Sequence, residues 1–319
     1  VTTTPDVAGR TACVIGAGVI GTSWTALFLA HGMRVVVHDP RPEVVDDVPA
    51  ALAEIAPTLS ALGLPSGDLA TGLSFEPDLG RAVADAYVVQ ENGPERVDVK
   101  QQLWAQVTAS APPDALLLSS SSAITATRQG MELTDAGRLL VGHPFNPPHL
   151  IPLVEVVPGE RTHPDAVADA VAFYTALAKS PQVVRREVRG FVANRLQRAL
   201  FAECLLLVQQ GVVTVEELDD IVTSSVGLRW AADGPFRSFH LGGGADGFRG
   251  YFRQFGPGLR WAIENEERVD LDGDLEDLVV AQSEAAYGGR RGELEAERDR
   301  KQLAILRALA TATTSPEES

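Results

Sequence analysis

The segment VGHPFNPPHLIPLVEVV, residues 141–157, sets His143 and Glu155 into a stretch dominated by apolar residues and proline. A glutamate flanked by Leu153, Val154, Val156 and Val157 is costly to bury unless it is paired. Pro144 biases His143 to extended backbone, Glu155 falls in the next apolar strand, and neighbouring strands can bring the two together. A carboxylate on one imidazole nitrogen fixes the tautomer and leaves the other nitrogen free to take a proton from an alcohol. The plainer alternative is a core histidine satisfied by a backbone carbonyl.

Two other segments carry groups suited to the same place. LLLSSSSA ends an apolar run with Ser119, Ser120, Ser121 and Ser122, whose hydroxyls would stand at the carboxyl edge of a sheet, where such folds bind ligands. Four serines could equally make a polar turn. Asn194, in GFVANRLQ, sits in the first turns of an apolar helix and needs a hydrogen-bond partner if buried, which backbone alone could supply.

CVIGAGVIGTSW places Gly16, Gly18 and Gly21 in a G-x-G-x-x-G between a strand and a helix, with Val19 and Ile20 opening the helix. Gly16 permits the tight turn, Gly18 lets backbone approach a pyrophosphate, and Gly21 lets the helix pack on the strand. The second strand ends in Asp39, eighteen residues past Gly21, where a carboxylate accepts hydrogen bonds from a ribose and repels a 2′-phosphate. The cofactor expected is NAD. Arg41, two residues on, reads as a solvated loop arginine and keeps NADP open as the alternative.

These groups need a scaffold, and the chain supplies an alternating one. From Thr11 to about Arg186, short β-rich runs (TACVI, RVVVH, AYVVQE, ALLLS, RLLVG, LVEVV, QVVRR) alternate with helical segments, the pattern of a Rossmann-type doubly wound α/β sheet. After Gly190 the pattern is all helical: FVANRLQRALFAECLLLVQQG closes at Gly211, and TVEELDDIVTSSVG opens with Thr214 and Glu217 as a capping box and closes at Gly227. The division expected is residues 1–188 for the cofactor and 189–319 as a helical substrate and dimerisation domain, with the site between them. HLGGGADGFRG reads as a mobile connection, and the tail ATATTSPEES as disordered.

Composition narrows the partners. The 319 residues carry a formal net charge of −16, which disfavours nucleic acid and anionic membrane and favours small molecules. Cys13 and Cys204 lie in apolar runs without metal-site spacing, so both read as reduced core thiols in the cytoplasm. No window reaches the roughly eighteen unbroken apolar residues of a membrane helix, and the first residues lack a secretory pattern.

In order and spacing, GAGVIG with Asp39, the serine run, HPFNPP, PLVEVV and GFVANRL resemble the L-3-hydroxyacyl-CoA dehydrogenase superfamily. The likeness, over about residues 9 to 300, is nearest to its lambda-crystallin branch, which includes L-gulonate 3-dehydrogenase, and extends to carnitine 3-dehydrogenases. It implies a homodimer in which His143 is the general base and Glu155 its partner. Ser122, twenty-one residues before His143, falls on the catalytic serine and with Asn194 would hold the substrate oxygen; Asn146 joins them on the substrate side. Glu91, Asn92 and Lys100 in QENGPERVDVK correspond to positions near the nicotinamide. The reaction implied takes a 3-hydroxy acid to the 3-keto acid.

The substrate stays open between a CoA thioester and a free acid. Between Arg41 and Arg81 there is no Lys, Arg or His, whereas Asp46, Asp47, Glu54, Asp68, Glu76 and Asp78 are present, a charge that repels CoA phosphates. Arg229 and Trp230 in VGLRWAADGPF stand where the lambda-crystallin and carnitine branches have a similar pair, and a guanidinium there suits a free carboxylate. An exposed arginine is the plainer alternative. A quaternary ammonium would call for an aromatic cage, to which Trp230, Phe236, Phe239, Tyr251, Phe252, Phe255 and Trp261 could contribute, although such aromatics more often form core. A non-catalytic NAD-binding structural protein is the reading of another class; Ser122, His143, Glu155 and Asn194 together argue against it.

Overall fold

The computed structural model describes residues 5–265 and 267–313. The chain divides into two compact units, Val1–Arg195 and Leu196–Ser319. The first runs β1 (Thr11–Ile15), α1 (Val19–Ala30), β2 (Arg34–His38), α2 (Val44–Ala61), β3 (Leu73–Phe75), α3 (Leu79–Val83), β4 (Val88–Glu91), α4 (Val97–Ser110), β5 (Leu116–Ser119), α5 (Ala126–Gln129), β6 (Leu139–Pro144), β7 (Leu153–Pro158), α6 (Pro164–Ala176) and β8 (Ser180–Val183). α7 (Ala193–Gln209) begins at its end.

One eight-stranded sheet carries this unit, in the order β3-β2-β1-β4-β5-β6-β7-β8. Every neighbouring pair is parallel except β6 with β7. The central strands are continuous apolar runs because helices cover both faces. On one face Trp24, Phe28, Phe173 and Tyr174 pack together, with ring centroids 5.5 Å apart for Trp24 and Phe28 and 5.6 Å for Trp24 and Tyr174. On the other lie Trp104, Val107 and Cys13, whose thiol burial pushes up to about 12, an inert group at neutral pH. Cys204 is only half-buried, so it is not the core thiol its sequence suggests.

Strand order reverses between β1 and β4, and the carboxyl ends come into line there. Ile15 pairs with Glu91, Glu91 with Ser119 and Ser119 with Val141, so the turns after β1, β4 and β5 and the last residues of β6 share one edge. Ligands of doubly wound sheets bind at that edge.

The second unit holds the rest of α7 with α8 (Val215–Ser224), α9 (Val226–Ala232), α10 (Pro235–Gly242), α11 (Gly247–Glu264), α12 (Gly273–Tyr287) and α13 (Arg291–Thr313). Both bonds of the Thr214–Glu217 capping box form. Gly227 does not end that helix; it lies inside α9, and α8 stops at Ser224. The glycine-rich segment is a tight corner between α10 and α11, not a loose connection: a Cβ on Gly243 would stand 1.7 Å from the Gly247 carbonyl oxygen. The tail expected to be disordered continues α13 through Thr313; its residues 314–319 lie outside the described residues. The aromatics expected to form core are partly outward in this chain: Phe236, Phe252, Phe255, Trp230 and Trp261 are exposed. Among the described residues no helix is long and apolar enough to cross a membrane.

Candidate active site

His143 and Glu155 pair directly across β6 and β7, so both side chains stand on one face of the sheet. His143 Nδ1 lies 2.8 Å from Glu155 Oε2, and the two residues are 5% and 2% exposed. Glu155 Oε1 accepts the backbone N–H groups of Val192 at 2.8 Å and Ala193 at 3.1 Å, where α7 begins. Burial pushes the Glu155 carboxyl up, but the bonds from His143, Ala193 and Val192 outweigh it and hold the pKa below the ordinary value. An ionised carboxylate only accepts, so the shared proton sits on Nδ1 and Nε2 carries the lone pair. In the neutral ring such a nitrogen can accept a proton. Asn194, half-buried, follows Ala193 on the first turn of α7, so the fold brings its backbone beside this pair.

The serine run separates into distinct roles. Ser119 Oγ donates to Glu91 Oε2 at 2.6 Å and Ser121 Oγ to Glu95 Oε1 at 2.7 Å. Ser120 Oγ donates to Asn92 Oδ1 at 2.7 Å and accepts from Gln90 Nε2 and Trp24 Nε1. Only Ser122 keeps its hydroxyl out of these bonds, on an exposed residue whose N–H goes to Glu95 Oε1 at 3.0 Å. Glu95, which sequence reasoning passed over, thereby holds the turn from Ser121 to Ala123. Burial raises its pKa, and the Ser121 bond, the Lys100 charge and backbone donors bring it below the usual value.

Glu91 and Lys100, placed near a nicotinamide by resemblance, are 0% and 1% exposed and paired at 2.6 Å, so neither offers a surface to a ligand. Their effect is on the loop above: Gly93 N–H donates to Glu91 Oε1 and Lys100 reaches the Gly93 carbonyl at 3.4 Å. Asn92 is half-buried, its amide fixed by the carbonyls of Gln90 and Ile15.

The glycine turn fits a dinucleotide. Gly16 has φ +84°, and a Cβ there would meet the Asn92 carbonyl at 2.9 Å. A Cβ on Gly21 would lie 1.8 Å from the Gly16 oxygen, whereas one on Gly18 meets nothing within 4 Å. Gly18 is also the N-cap of α1 and provides no side-chain cap, so the first amides of the helix, over exposed Val19 and half-buried Ile20, face open space suited to pyrophosphate. Asp39 is more engaged than a waiting ribose acceptor: Ala17 N–H donates to Oδ2 at 2.8 Å, and Arg41 donates through its N–H and Nε to Oδ1 and its Nη2 to Oδ2. Arg41 is an exposed loop arginine, as expected, and at the same time the partner of Asp39, whose pKa falls below its ordinary value although burial opposes that.

Beyond His143 the chain continues through exposed Asn146, joined to Pro147 by a cis bond, to His149. His149, also overlooked, is buried; its N–H and Nδ1 each lie 2.8 Å from Ser23 Oγ on α1. Lys179, buried just before β8, donates to the Pro148 carbonyl at 2.5 Å and to that of Ile151, and burial lowers its pKa to about 7. Arg229 and Trp230 stand on α9 in the second unit, both exposed.

A glycine turn of this shape at the switch point of a doubly wound sheet is the geometry of a dinucleotide-binding fold. Residues 11–188 match the family model "3-hydroxyacyl-CoA dehydrogenase, NAD binding domain" and residues 190–276 match "3-hydroxyacyl-CoA dehydrogenase, C-terminal domain". The chain belongs to the 3-hydroxyacyl-CoA dehydrogenase family, as an NAD-dependent oxidoreductase. It is 45% identical to an L-carnitine dehydrogenase of Streptomyces griseus over 99% of this chain and 94% of the relative, and 44% identical to that of Streptomyces coelicolor over 99% of both. Among solved structures, 5-formyl-3-hydroxy-2-methylpyridine 4-carboxylic acid 5-dehydrogenase, an NAD+-dependent dismutase, superposes with a TM-score of 0.79 at 28% identity, covering 95% of this chain and 99% of that one.

Proposed function

We propose that this chain oxidises the 3-hydroxyl of a small, free L-3-hydroxy acid of the carnitine kind to the 3-keto acid, or runs the reverse. The observation that carries it is the His143–Glu155 pair, 2.8 Å apart at the carboxyl edge that also bears the glycine turn. Bound NAD, held by the Gly16–Gly21 turn and Asp39, supplies the hydride acceptor. His143 Nε2 takes the hydroxyl proton, and Glu155 stabilises the imidazolium that results. Ser122 and Asn194 orient the substrate oxygen, with Asn146 on the same side. In the reverse direction His143 returns the proton.

A free acid is favoured over a CoA thioester by the surface of the first unit. Asp46, Asp47 and Glu54 are exposed on α2, which carries no cation to meet CoA phosphates. Arg229 is the residue proposed to hold the carboxylate by two parallel bonds, with Trp230 beside it. The names of the relatives make L-carnitine the first substrate to try. The proposal includes a homodimer in the cytoplasm. Its support is the exposed apolar side chains of Leu196, Phe201, Phe252, Trp261 and Ile263, all on helices α7 and α11; light scattering of the purified chain gives its mass directly.

The test is NADH formation at alkaline pH with L-carnitine, L-gulonate, L-3-hydroxybutyrate and L-3-hydroxybutyryl-CoA. Turnover of a free acid, lost in Arg229→Met while NADH still binds, is the expected result. Turnover of the thioester alone would overturn the free-acid reading, and NADH binding without turnover of any of them would favour a structural role.

A further inference from the structure

Phe191 occupies a backbone conformation that residues with a Cβ avoid. Its φ is +47°, directly after Gly190 at φ +76°, so two left-handed residues in succession turn the chain before α7. Glycine would adopt this shape freely, so something must hold phenylalanine in it. The ring is fully buried, packed with Ala126, Val141, Val157 and Val184, and its centroid lies 5.4 Å from that of the His143 imidazole. The amides that follow, Val192 and Ala193, are the two that donate to Glu155 Oε1.

We infer that Phe191 is a positioning residue for the His143–Glu155 pair: its buried ring anchors the left-handed turn that aims the next two amides at Glu155, and the same ring closes one side of the imidazole. The inference rests on the reading of that pair as the proton-transferring group. A carboxylate held by one oxygen alone could rotate away from Nδ1; with Oε1 fixed from α7, Oε2 stays on the histidine. A ring driven into the cluster between β6, β7 and α5 makes the turn rigid, which a glycine in its place would not.

Phe191→Leu and Phe191→Val separate anchoring from simple filling. Both side chains are apolar, but a branched Cβ opposes positive φ far more than an unbranched one. The first readout is the proton on His143 Nδ1, observed far downfield by NMR in the full chain and assigned by its loss in His143→Asn. The second is kcat and KM on the hydroxy acid that the wild type accepts, with NADH affinity alongside. Phe191→Leu is expected to keep the resonance and most of kcat. Phe191→Val is expected to lose the resonance and about tenfold or more in kcat, with NADH affinity unchanged.

Leucine and valine variants that both keep the resonance and kcat would overturn the inference, because the turn would then not depend on Phe191. Should the valine variant not fold, Phe191→Gly replaces it: the glycine fits the turn but lacks the anchor, and retention of the resonance would overturn the inference. A wild type that turns over no 3-hydroxy acid would sink the proposed function, while the resonance still decides on Phe191.

Discussion

Ser23 Oγ stands 2.8 Å from the N–H of His149 and 2.8 Å from its Nδ1, so the helix that begins at the glycine turn grips the segment that follows His143. Accepting from the N–H leaves the serine hydrogen for Nδ1, which puts any proton of the neutral ring on Nε2. Ser23→Ala removes both bonds at a buried place. The expected loss is about 1–3 kcal/mol of stability, read by urea unfolding.

Substitution of the pair itself separates chemistry from binding. His143→Asn is expected to lower kcat by about 10²–10⁴ with NADH affinity intact. Glu155→Gln keeps the shape but gives up the charge that stabilises an imidazolium, so kcat falls while KM changes little. Steady-state kinetics with NADH fluorescence titration check both.

Acid stability follows from the carboxylates. Glu155 titrates below its ordinary value when folded and near about 4.3 when unfolded, so the unfolded chain takes up the proton first as pH falls. Its contribution is full above about pH 4.3 and is lost as pH drops through the folded pKa. Asp39 and Glu95 act in the same direction. Glu155→Gln is expected to flatten the acid limb of stability against pH, measured by urea unfolding at a series of pH values.

Two glycines of the cofactor turn should fail differently. A Cβ on Gly18 enters open space and one on Gly21 strikes the Gly16 carbonyl. Gly18→Ala is expected to fold with stability within about 0.5 kcal/mol of wild type but to bind NADH weakly. Gly21→Ala is expected to lose about 1–3 kcal/mol of stability as well. Thermal unfolding and NADH titration distinguish them.

Arg41 supplies three of the four bonds that Asp39 accepts. A ribose hydroxyl must compete with that guanidinium. Arg41→Ala is therefore expected to leave NADH affinity equal or a few-fold tighter, and a large loss would mean that the arginine itself contacts the cofactor.

The glycine turn and the central strands could be read in the sequence because each is a local pattern: period, cap and turn residue lie within a few positions. β3 was missed because LSF is a three-residue edge with a serine at its centre. The strand expected at QVVRR lies two residues earlier, at Ser180–Val183, since the pairing with β7 and not local propensity sets its start. The direction of β7 did have a signal. Only eight residues, 145–152, separate it from β6, too few for a parallel crossover. The resemblance selects Ser122 by its spacing from His143, but what occupies the other three hydroxyls was not legible, because their acceptors, Glu91 for Ser119, Asn92 for Ser120 and Glu95 for Ser121, come from the end of β4 and the turn after it. Glu95 itself looks like any solvated glutamate until Ser121, Ser122 and Ala123 are folded onto it.

The antiparallel ladder between β6 and β7 makes the imidazole and its carboxylate a single heritable unit. They are twelve residues apart in the chain and opposite one another in the sheet. Since side chains alternate faces, deleting one residue from either strand turns one partner to the far side. Length changes are therefore tolerated only in the connecting segment, and there only while Ser23 and Lys179 keep their hold. For anyone grafting this chemistry onto another sheet, residues 143–155 would have to travel as one piece, together with the two amides that follow Phe191.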